Sequence, residues 1–563
     1  MINFDMENLE TNAKILLKGL WYSELPDVLD ISRLSRNIMR VIRKQEAQGY
    51  DNYEKNDGNF IKDFKNVVSP DYLRKPGVEP ITYYSFKKNQ SLREMQIPNI
   101  IHYVSFIYNS LWVFENLYQK LYLELDYDEY VKNSNSYIVL GEEFYIETGY
   151  DEVEEVELGV FVSSNSKSQG NQIMISNRER YEKEARTYRY GLKMDIESFF
   201  PNIYTHYFDK IKDMCPFNTI VNVKEYLTFL DVYHQRTNNN QTKGIPAGVF
   251  SAHLASELLM LCVDNRIKEV FAAEDIGYIR YVDDLTFFSD SKETLQRIPG
   301  QVQKILNEFR LRLNSNKNEL FSNAIRIQAT DLLEIGQEIP WVLSEQQENF
   351  SVERLYSLKK YITKLLNAER VAQIKTILTL LNKKIKNKKM DIANIAYSLM
   401  CYCQVLVLEN VTLACHGYRI IETIIQDSAD KSDYITLLKE KAPLVDLEYE
   451  DTLVQIWHYY VLLKYMTDIE KTSYFEERKD NIKNPMILSM FVIEGKHKNA
   501  KLFRHIVERF KSELLNETDW KRKIMYSKWW LPLYCIWLVD EHNYEQFMQS
   551  KTFPEVLKDL GKR

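Results

Sequence analysis

The chain contains little glycine, proline or cysteine, with 17, 14 and 6 residues among 563. Such low numbers exclude a collagen-like protein, a disulfide-stapled scaffold and a disordered low-complexity chain. Hydrophobic residues make up 45% and charged residues 27% of the chain, which is the balance of a folded protein with sizeable cores. At roughly 150 residues per domain, the length allows about three or four domains.

Long apolar runs, a basic leader and an excess of positive charge are also missing. No run of about 18 apolar residues is present, and the first residues, MINFDMENLETNAKILL, lack a basic segment followed by an apolar one. We therefore expect a soluble, cytoplasmic protein with no membrane partner. The net charge of −7 argues against a long basic track for duplex nucleic acid, because affinity for the backbone grows with the number of neutralised phosphates.

Changes in composition and in the spacing of apolar residues along the chain predict three regions. Residues 1–75 have helical apolar spacing and end at a cluster of proline and glycine breakers, which indicates an N-terminal helical extension. Residues 76–340 include short apolar and alternating runs bounded by turns, the pattern of an α+β domain. Residues 341–563 contain four prolines, three glycines and nearly continuous helical spacing. This last part is predicted to be an all-α, repeat-like helical domain, although no fixed period identifies a repeat family.

Three segments of the middle part carry residues suited to chemistry. The run GLKMDIESFF (191–200) predicts a strand that delivers Asp195 at its end. The run KGIPAG (243–248) is a glycine loop that opens a long amphipathic helix. In GYIRYVDDLTFFSDS (277–291), two apolar strands flank an acidic tip, so the sequence predicts a hairpin with Asp283 and Asp284 at or beside its turn.

The paired aspartates point to metal-dependent phosphoryl transfer. Adjacent carboxylates repel each other unless a cation lies between them, and two divalent ions about 3.5–4 Å apart satisfy such a site. Asp195 and Asp283, from neighbouring strands, are placed to bridge both ions. The alternative is that Asp283 and Asp284 form only an exposed acidic turn. That alternative does not explain the order and spacing of the three segments, in which Gly244 follows Asp195 by 49 positions and Asp283 follows Gly244 by 39.

This ordered set resembles the reverse transcriptases. Asp195 matches the aspartate of their motif A, and residues 244–248 match motif B. The sequence YVDD, ending in Asp283 and Asp284, matches the YxDD box of motif C, and LRLNSNKNEL supplies Lys317 as motif D. The resemblance implies the fingers and palm of a right-hand polymerase.

The resemblance also implies individual roles. The carbonyl of Ile196 joins the three aspartates as a ligand of two Mg²⁺ ions, which Mn²⁺ can replace. Phe200 matches the aromatic steric gate that selects deoxynucleotides; packing in the core is the alternative. Lys317 matches a proton donor to pyrophosphate, whereas an ordinary surface lysine is the competing interpretation. The residues expected to contact nucleotide are Ile196, Phe200, Gly244, Ile245, Pro246, Gly248 and Tyr281, with Arg178, Arg180 and Lys183 as a cationic finger.

The helical region where a thumb is expected resembles a narrower group, the bacterial abortive-infection reverse transcriptases related to AbiK and AbiA. In that group an all-α, HEAT-like domain replaces the thumb. The resemblance implies antiphage defence and untemplated DNA synthesis from dNTPs, primed by a tyrosine of the protein. It further implies a single-stranded DNA product attached to the protein, a homo-oligomer, and a phage or host trigger protein. Tyr50 and Tyr53, in the polar run GYDNYEKNDG, are candidate primers.

Two rival functions stay open at this point. One is a reverse transcriptase that copies a dedicated noncoding RNA, for which a co-purifying RNA is the expected sign. The other is an inert, polymerase-derived scaffold whose helical region binds a phage trigger. Retention of all three carboxylates argues against the scaffold, because a self-repelling Asp283–Asp284 pair has no evident use without cations.

Overall fold

A computed structural model defines the architecture over most of the chain. It describes scattered positions between 13 and 41, and residues 77–87, 91–118, 145–146, 161–162, 185–219, 221–323, 331–344, 346–494, 499–513, 524, 527–542 and 544. Among these residues, no helix has the length and apolar character needed to cross a membrane.

A β-hairpin and a long helix precede the central sheet. Strands β1 (Ile81–Phe86) and β2 (Leu92–Ile97) pair antiparallel, and α1 runs from Ile100 to Tyr118. The helix starts there because the side-chain oxygen of Asn99 accepts a hydrogen bond from the Ile101 N–H at 3.0 Å. The helix agrees with the apolar spacing of the sequence, whereas the hairpin was not predicted. A short ribbon follows, formed by β3 (Tyr145–Ile146) and β4 (Phe161–Val162).

The central sheet has four antiparallel strands in the order β6-β7-β5-β8. Consecutive strands β6 and β7 form the hairpin that the sequence predicted. Strand β5 lies on the other side of β7, although β5 comes many residues earlier in the chain. A long helix, described below, separates β5 from β7 in the chain. The pairing of these two strands therefore brings together the segments that precede and follow this helix. The strands are β5 (Tyr190–Asp195), β6 (Gly277–Tyr281), β7 (Asp284–Ser289) and β8 (Glu319–Ser322).

Helices between these strands complete the domain core. They are α2 (Phe199–Asn202), α3 (His206–Ile211), α4 (Val221–Thr237), α5 (Phe250–Phe271) and α6 (Lys292–Glu308). The sequence predicted α5 as an amphipathic helix, and this was wrong. Every residue from Leu254 to Asp264 is buried, which covers all faces of the helix over three turns. The helix is enclosed because α3 and α6 both pack against it.

The remainder of the described chain is almost entirely helical. After α7 (Asp331–Glu338), two short strands, β9 (Glu348–Asn349) and β10 (Met390–Asp391), pair in parallel on either side of the first helix pair. The helices are α8 (Val352–Asn367), α9 (Val371–Lys386), α10 (Ala396–Glu409), α11 (Ala414–Asp427), α12 (Ser432–Glu448), α13 (Leu453–Tyr465), α14 (Asp468–Arg478), α15 (Pro485–Glu494), α16 (Asn499–Glu513) and α17 (Trp530–Val539).

These helices stack as pairs in one direction. Helices α9, α11, α13, α15 and α17 each pack against the next of this series, while α10, α12, α14 and α16 each pack against the helix that follows them. The helices of the first series contribute most of the buried residues. In α15 and α17, for example, all residues from Pro485 to Val492 and from Trp530 to Trp537 are buried. We refer to residues 352–539 as the helical array.

The helical array contacts the N-terminal parts of the chain directly. The indole of Trp457 in α13 donates a 2.7 Å hydrogen bond to the carbonyl of Glu24. The Tyr84 N–H in β1 donates to the carbonyl of Asp451 at 2.8 Å, and Tyr84 and Thr452 form an isolated parallel bridge. The array is therefore connected to strand β1 by a backbone hydrogen bond and to the segment around Glu24 by a side chain.

Candidate active site

Two strands of the central sheet place three aspartates side by side. Asp195 is the last residue of β5 and lies opposite Asp284, the first residue of β7. Asp283 occupies the two-residue turn between β6 and β7, and its carbonyl accepts a 3.1 Å hydrogen bond from the Ile196 N–H. The structure thus brings together three predicted residues that lie up to 89 positions apart in the chain.

Mutual repulsion and burial perturb this carboxylate group. Burial is the main cause that raises the pKa of Asp283 from 3.8 to about 6, and the negative charges of Asp195 and Asp284 raise it further. Lys317 acts in the opposite direction. A carboxyl group with this pKa binds a proton or a cation more readily than an exposed aspartate does, which is typical of functional sites.

Two lysines already approach the carboxylates. The Nζ atom of Lys317 lies 2.9 Å from Asp195 Oδ2, and the Nζ atom of Lys193 lies 3.1 Å from Asp284 Oδ2. Asn314 adds a weaker contact, its side-chain nitrogen donating to Asp195 Oδ2 at 3.4 Å. Lys317 therefore brings its ammonium group to the aspartate at the end of β5.

The donor atoms of this site suit a hard divalent cation. Mg²⁺ is bound by carboxylate and carbonyl oxygens, and Asp195, Asp283 and Asp284 supply only such atoms. Within the described part of the chain, no three carboxylate, imidazole or thiol side chains converge closely enough to hold an ion as they stand. The two lysine ammonium groups supply the positive charge in this arrangement, so metal binding requires the carboxylates to turn from these partners.

The glycine loop adopts a backbone that L-residues avoid. Gly244 and Gly248 have φ angles of +91° and +89°, in the range that favours glycine. A Cβ atom at Gly248 would lie 2.0 Å from the ring of Tyr22, so this glycine is also required by close packing. Two backbone bonds fix the loop against the segment after β5: the Gly244 N–H donates to the Ile203 carbonyl at 2.8 Å, and the Ile245 N–H to the Phe200 carbonyl at 3.1 Å.

The predicted nucleotide contacts differ in their exposure. Phe200 is half-buried, and its ring meets the rings of Phe199 and His253 edge-on, with centroids 5.3 Å apart in each case. Tyr281 is 53% exposed at the end of β6. Ile245 and Pro246 are buried, and the Ile245 N–H already bonds the Phe200 carbonyl, so both residues belong to the core.

Some predicted residues lie outside the described part of the chain. These are the finger cations Arg178, Arg180 and Lys183 and the candidate primers Tyr50 and Tyr53. Their roles remain predictions.

A buried ionic cluster behind the hairpin was missed by the sequence analysis. Arg280 in β6 is fully buried and contacts Glu257 and Asp264, which lie two turns apart on α5. A signal for it was present in the sequence: one arginine in the apolar run GYIRYV and two acids in the apolar run HLASELLMLCVDN. Buried charges are found almost only in pairs, so these three residues could have been predicted to meet.

An antiparallel sheet with aspartates at the end of one strand and in an adjacent hairpin turn is the arrangement that the resemblance to reverse transcriptases implies for a polymerase palm. Residues 156–352 match the family model described as "Reverse transcriptase (RNA-dependent DNA polymerase)". The chain therefore contains a reverse transcriptase domain, and this match includes Asp195, the glycine loop and the Asp283–Asp284 hairpin.

Solved structures with some likeness to the chain include two telomerases. One is telomerase from Candida albicans in complex with a fragment of telomeric RNA, with 11% identity, a TM-score of 0.29, and coverage of 72% of this chain and 66% of that one. The other is apo telomerase from Candida tropicalis, with 12% identity, a TM-score of 0.30, and coverage of 74% and 73%. The chain thus spans just under two thirds of the first telomerase. Likenesses this distant support no statement about function.

Proposed function

We propose that this protein is a reverse transcriptase-type DNA polymerase that joins dNTPs by two-metal phosphoryl transfer. The observation that carries the proposal is the placement of Asp195 directly across from Asp284, with Asp283 in the adjoining turn. When bound, two Mg²⁺ ions would supply a lowered pKa for the attacking hydroxyl and charge stabilisation for the leaving pyrophosphate. Asp195, Asp283, Asp284 and the carbonyl of Ile196 are the groups that would hold them.

Lys317 is proposed to donate a proton to pyrophosphate. Its side chain is 61% exposed and reaches Asp195 from the solvent side, so it is free to turn toward a ligand once the aspartate binds a cation. Replacement by Met is expected to lower the catalytic rate by about 100-fold, the usual scale of general-acid catalysis. Lys317→Arg, which keeps the positive charge but does not release its proton near neutral pH, is the matched variant and should not restore the rate.

Phe200 is proposed to exclude the 2′-hydroxyl of ribonucleotides. Phe200 is half-buried, its ring meets the rings of Phe199 and His253 edge-on, and its carbonyl accepts a hydrogen bond from the Ile245 N–H of the glycine loop. Phe200→Ala should therefore raise the use of rNTPs relative to dNTPs, measured as the ratio of kcat/KM values. A ratio equal to that of the unaltered protein would contradict the gate.

For the rest of the chain we propose an N-terminal extension over residues 1–75, fingers and palm over 76–340, and a HEAT-like domain over 341–563 that replaces a thumb. Stacking of helix pairs in one direction supports the last part. We further propose antiphage abortive infection as the biological role, with a trigger protein of phage or host origin and a homo-oligomeric assembly. The contact of Trp457 with Glu24 and that of Tyr84 with Asp451 offer a physical connection from the array to the N-terminal extension and to the fingers.

The direct test incubates purified protein with labelled dNTPs and Mg²⁺, with and without a primed RNA template. Label incorporated without added nucleic acid, and lost in Asp283→Asn, is the result expected for untemplated synthesis. Incorporation that requires the RNA supports a templated reverse transcriptase, and sequencing of co-purifying RNA then identifies the template. No incorporation under either condition, in folded protein, contradicts the polymerase and favours an inert scaffold.

Priming by the protein is tested by mass spectrometry. If a tyrosine hydroxyl starts the strand, digestion of the labelled protein with nuclease leaves a nucleotide on that tyrosine. Tyr50→Phe and Tyr53→Phe, separately and together, should remove the adduct if one of these two is the primer. An adduct on another residue dismisses both, and DNA without a protein adduct dismisses protein priming.

A further inference from the structure

The guanidinium group of Arg280 is the centre of a buried ionic cluster directly behind the active site. Its Nη1 and Nη2 atoms donate to the two carboxylate oxygens of Glu257 at 2.9 and 2.8 Å. Its Nε atom donates to Asp264 at 3.0 Å and Nη2 to the same carboxylate at 2.8 Å. The hydroxyl of Tyr278 adds a 2.8 Å bond to Asp264. We call these four residues the Arg280 cluster.

Such a cluster is rigid for an electrostatic reason. The Arg280 side chain is 0% exposed, and those of Glu257 and Asp264 are 10% and 1% exposed. Removing charges from water carries a large desolvation cost, which is offset only while geometry and hydrogen bonding are good. The guanidinium fork, with both neighbouring carboxylates fixed on one helix face, has one orientation that satisfies all of these bonds.

One further bond connects the cluster to the aspartates. Arg280 Nη1 also donates to the carbonyl of Val282 at 3.2 Å, and Val282 is the residue that precedes Asp283. Val282 has a φ angle of +53°, in the left-handed region where a β-branched residue is a genuine outlier. Outliers of this kind persist only where the surroundings enforce them.

The Val282 conformation decides where the next carboxylate points. The turn between β6 and β7 consists of Val282 and Asp283 alone, so a change in φ at Val282 re-aims Asp283 relative to Asp195. From the other side, the Ile196 N–H donates to the Asp283 carbonyl at 3.1 Å.

We propose that Arg280 is a positioning residue: held by Glu257 and Asp264, it binds the Val282 carbonyl and keeps the turn left-handed, so that Asp283 faces Asp195. The inference rests on the proposed polymerase function for its kinetic consequences, but its structural content is independent of it. Because α5 begins just after the glycine loop, the same helix supports the turn that carries the aspartates and the loop expected to contact the nucleotide.

The test is a double-mutant cycle between Arg280 and Val282. Arg280→Lys keeps the positive charge but lacks the fork that reaches both carboxylates and the Val282 carbonyl. Val282→Gly removes the penalty of a positive φ, since glycine adopts it freely. If Arg280 acts by holding the strained turn, its replacement should matter much less once the turn is unstrained.

We expect Arg280→Lys to lower activity and Val282→Gly to suppress most of that loss. Arg280→Lys alone should lower kcat by about 10-fold to 100-fold and raise the Mg²⁺ concentration for half-maximal activity, the scale that follows from losing control of one strained residue. In the Val282→Gly background the same change should cost less than about 3-fold. Equal losses in both backgrounds would overturn the proposal, because a purely structural role for Arg280 is indifferent to the residue at 282.

Binding of Mn²⁺ provides a readout that does not need turnover. Electron paramagnetic resonance of free Mn²⁺ should show weaker binding in Arg280→Lys, with recovery when Val282→Gly is added, and Asp283→Asn as the control that removes the site. If this pattern is found but no variant incorporates nucleotide, the proposed function fails and the positioning role stands. If nucleotide is incorporated but the cycle shows no coupling, the positioning role fails alone.

Controls separate positioning from loss of the fold. Arg266→Lys, on the same helix, alters an exposed arginine that pairs with Glu269 and Glu308 and should change neither Mn²⁺ binding nor kcat. If Arg280→Lys does not fold by circular dichroism, Glu257→Gln replaces it in the cycle, because the amide keeps the shape of the side chain. Suppression of the Glu257→Gln defect by Val282→Gly supports the proposal, and its absence contradicts it.

Discussion

The central sheet and the helical array use charged residues in opposite ways. The sheet buries Arg280, Glu257 and Asp264 behind a turn that places adjacent aspartates together. The array keeps most of its ion pairs partly exposed, as in Lys439–Glu470 with side chains 33% and 37% exposed, and fills its interior with apolar helices such as α15 and α17. The sheet therefore concentrates its buried charges next to the aspartates, which is the usual sign that a region is shaped for chemistry and not for stability alone.

The sharpest test of this contrast replaces one aspartate in each region. Asp283→Asn should lower activity by about 1,000-fold or more, the scale for losing a group that acts on transition-state charge, without lowering the melting temperature. Asp446→Asn in the array should lower stability by about 1–3 kcal/mol, because Asp446 accepts hydrogen bonds from Arg478, Tyr459 and Gln455. Nucleotide incorporation and thermal unfolding are measured on both variants.

The proposed difference between the sheet and the array is contradicted if Asp283→Asn and Asp446→Asn have the same effects on activity and stability. Loss of stability in Asp283→Asn would mean that the active-site carboxylate is part of the structural support. Loss of activity in folded Asp446→Asn would mean that the array contributes to the chemistry.

Packing in the array should dominate its stability. Leu462 in α13 is 0% exposed, so Leu462→Ala is expected to cost about 2–5 kcal/mol through lost burial and a residual cavity. Leu447 in α12 is 83% exposed, and Leu447→Ala should change stability by less than about 0.5 kcal/mol. Urea unfolding followed by circular dichroism compares the two identical substitutions; similar changes in midpoint would refute the burial argument.

The strain at Asp283 should appear as a pH-dependent loss of stability in metal-free protein. Burial and the neighbouring aspartates raise its pKa from 3.8 to about 6 in the folded state, so the folded protein holds this proton more tightly than the unfolded chain does. Stability from this group is therefore present below about pH 4 and is lost as the pH rises through 6. The loss amounts to about 2–3 kcal/mol.

The measurement compares the unaltered protein with Asp283→Asn across this pH range. In the presence of a chelator, the unaltered protein should lose stability relative to the variant between pH 4 and 6, and the difference should stay constant above that. A difference in unfolding free energy that does not vary with pH would show that Asp283 is not strained.

Much of the architecture was predictable because it depends on short-range pattern. Alternation fixed β5 and its terminal Asp195, the acidic tip between apolar runs identified the β6–β7 hairpin, and helical spacing identified the array. The β1–β2 hairpin was not predicted, because the runs ITYYSF and LREMQI, taken by themselves, resemble a segment of mixed polarity. Polar residues at helical intervals, among them Glu257 and Asp264, predict an amphipathic α5, although in the structure these two residues face a buried arginine.

The structure places some of the residues expected to contact nucleotide in the core. Ile245 and Pro246 are core residues, because the loop between two positive-φ glycines folds back onto the segment after β5. Gly248 is among the residues expected to contact nucleotide, and in the structure the ring of Tyr22 occupies the space where a side chain at this position would lie. Contacts between residues more than 200 positions apart in the chain have no local signal from which to predict them.

The sequence by itself determined which residue types stand at the ends of strands and in turns, since side-chain period and turn chemistry are local properties. It therefore identified Asp195, Asp283 and Asp284 and the helical nature of the C-terminal part. Only the tertiary structure decided that Arg280 meets Glu257 and Asp264, that the same arginine reaches the Val282 carbonyl, and that Lys317 reaches Asp195. The physical reason is that charge pairing and desolvation act through space, and their partners are fixed only when the sheet and α5 have packed.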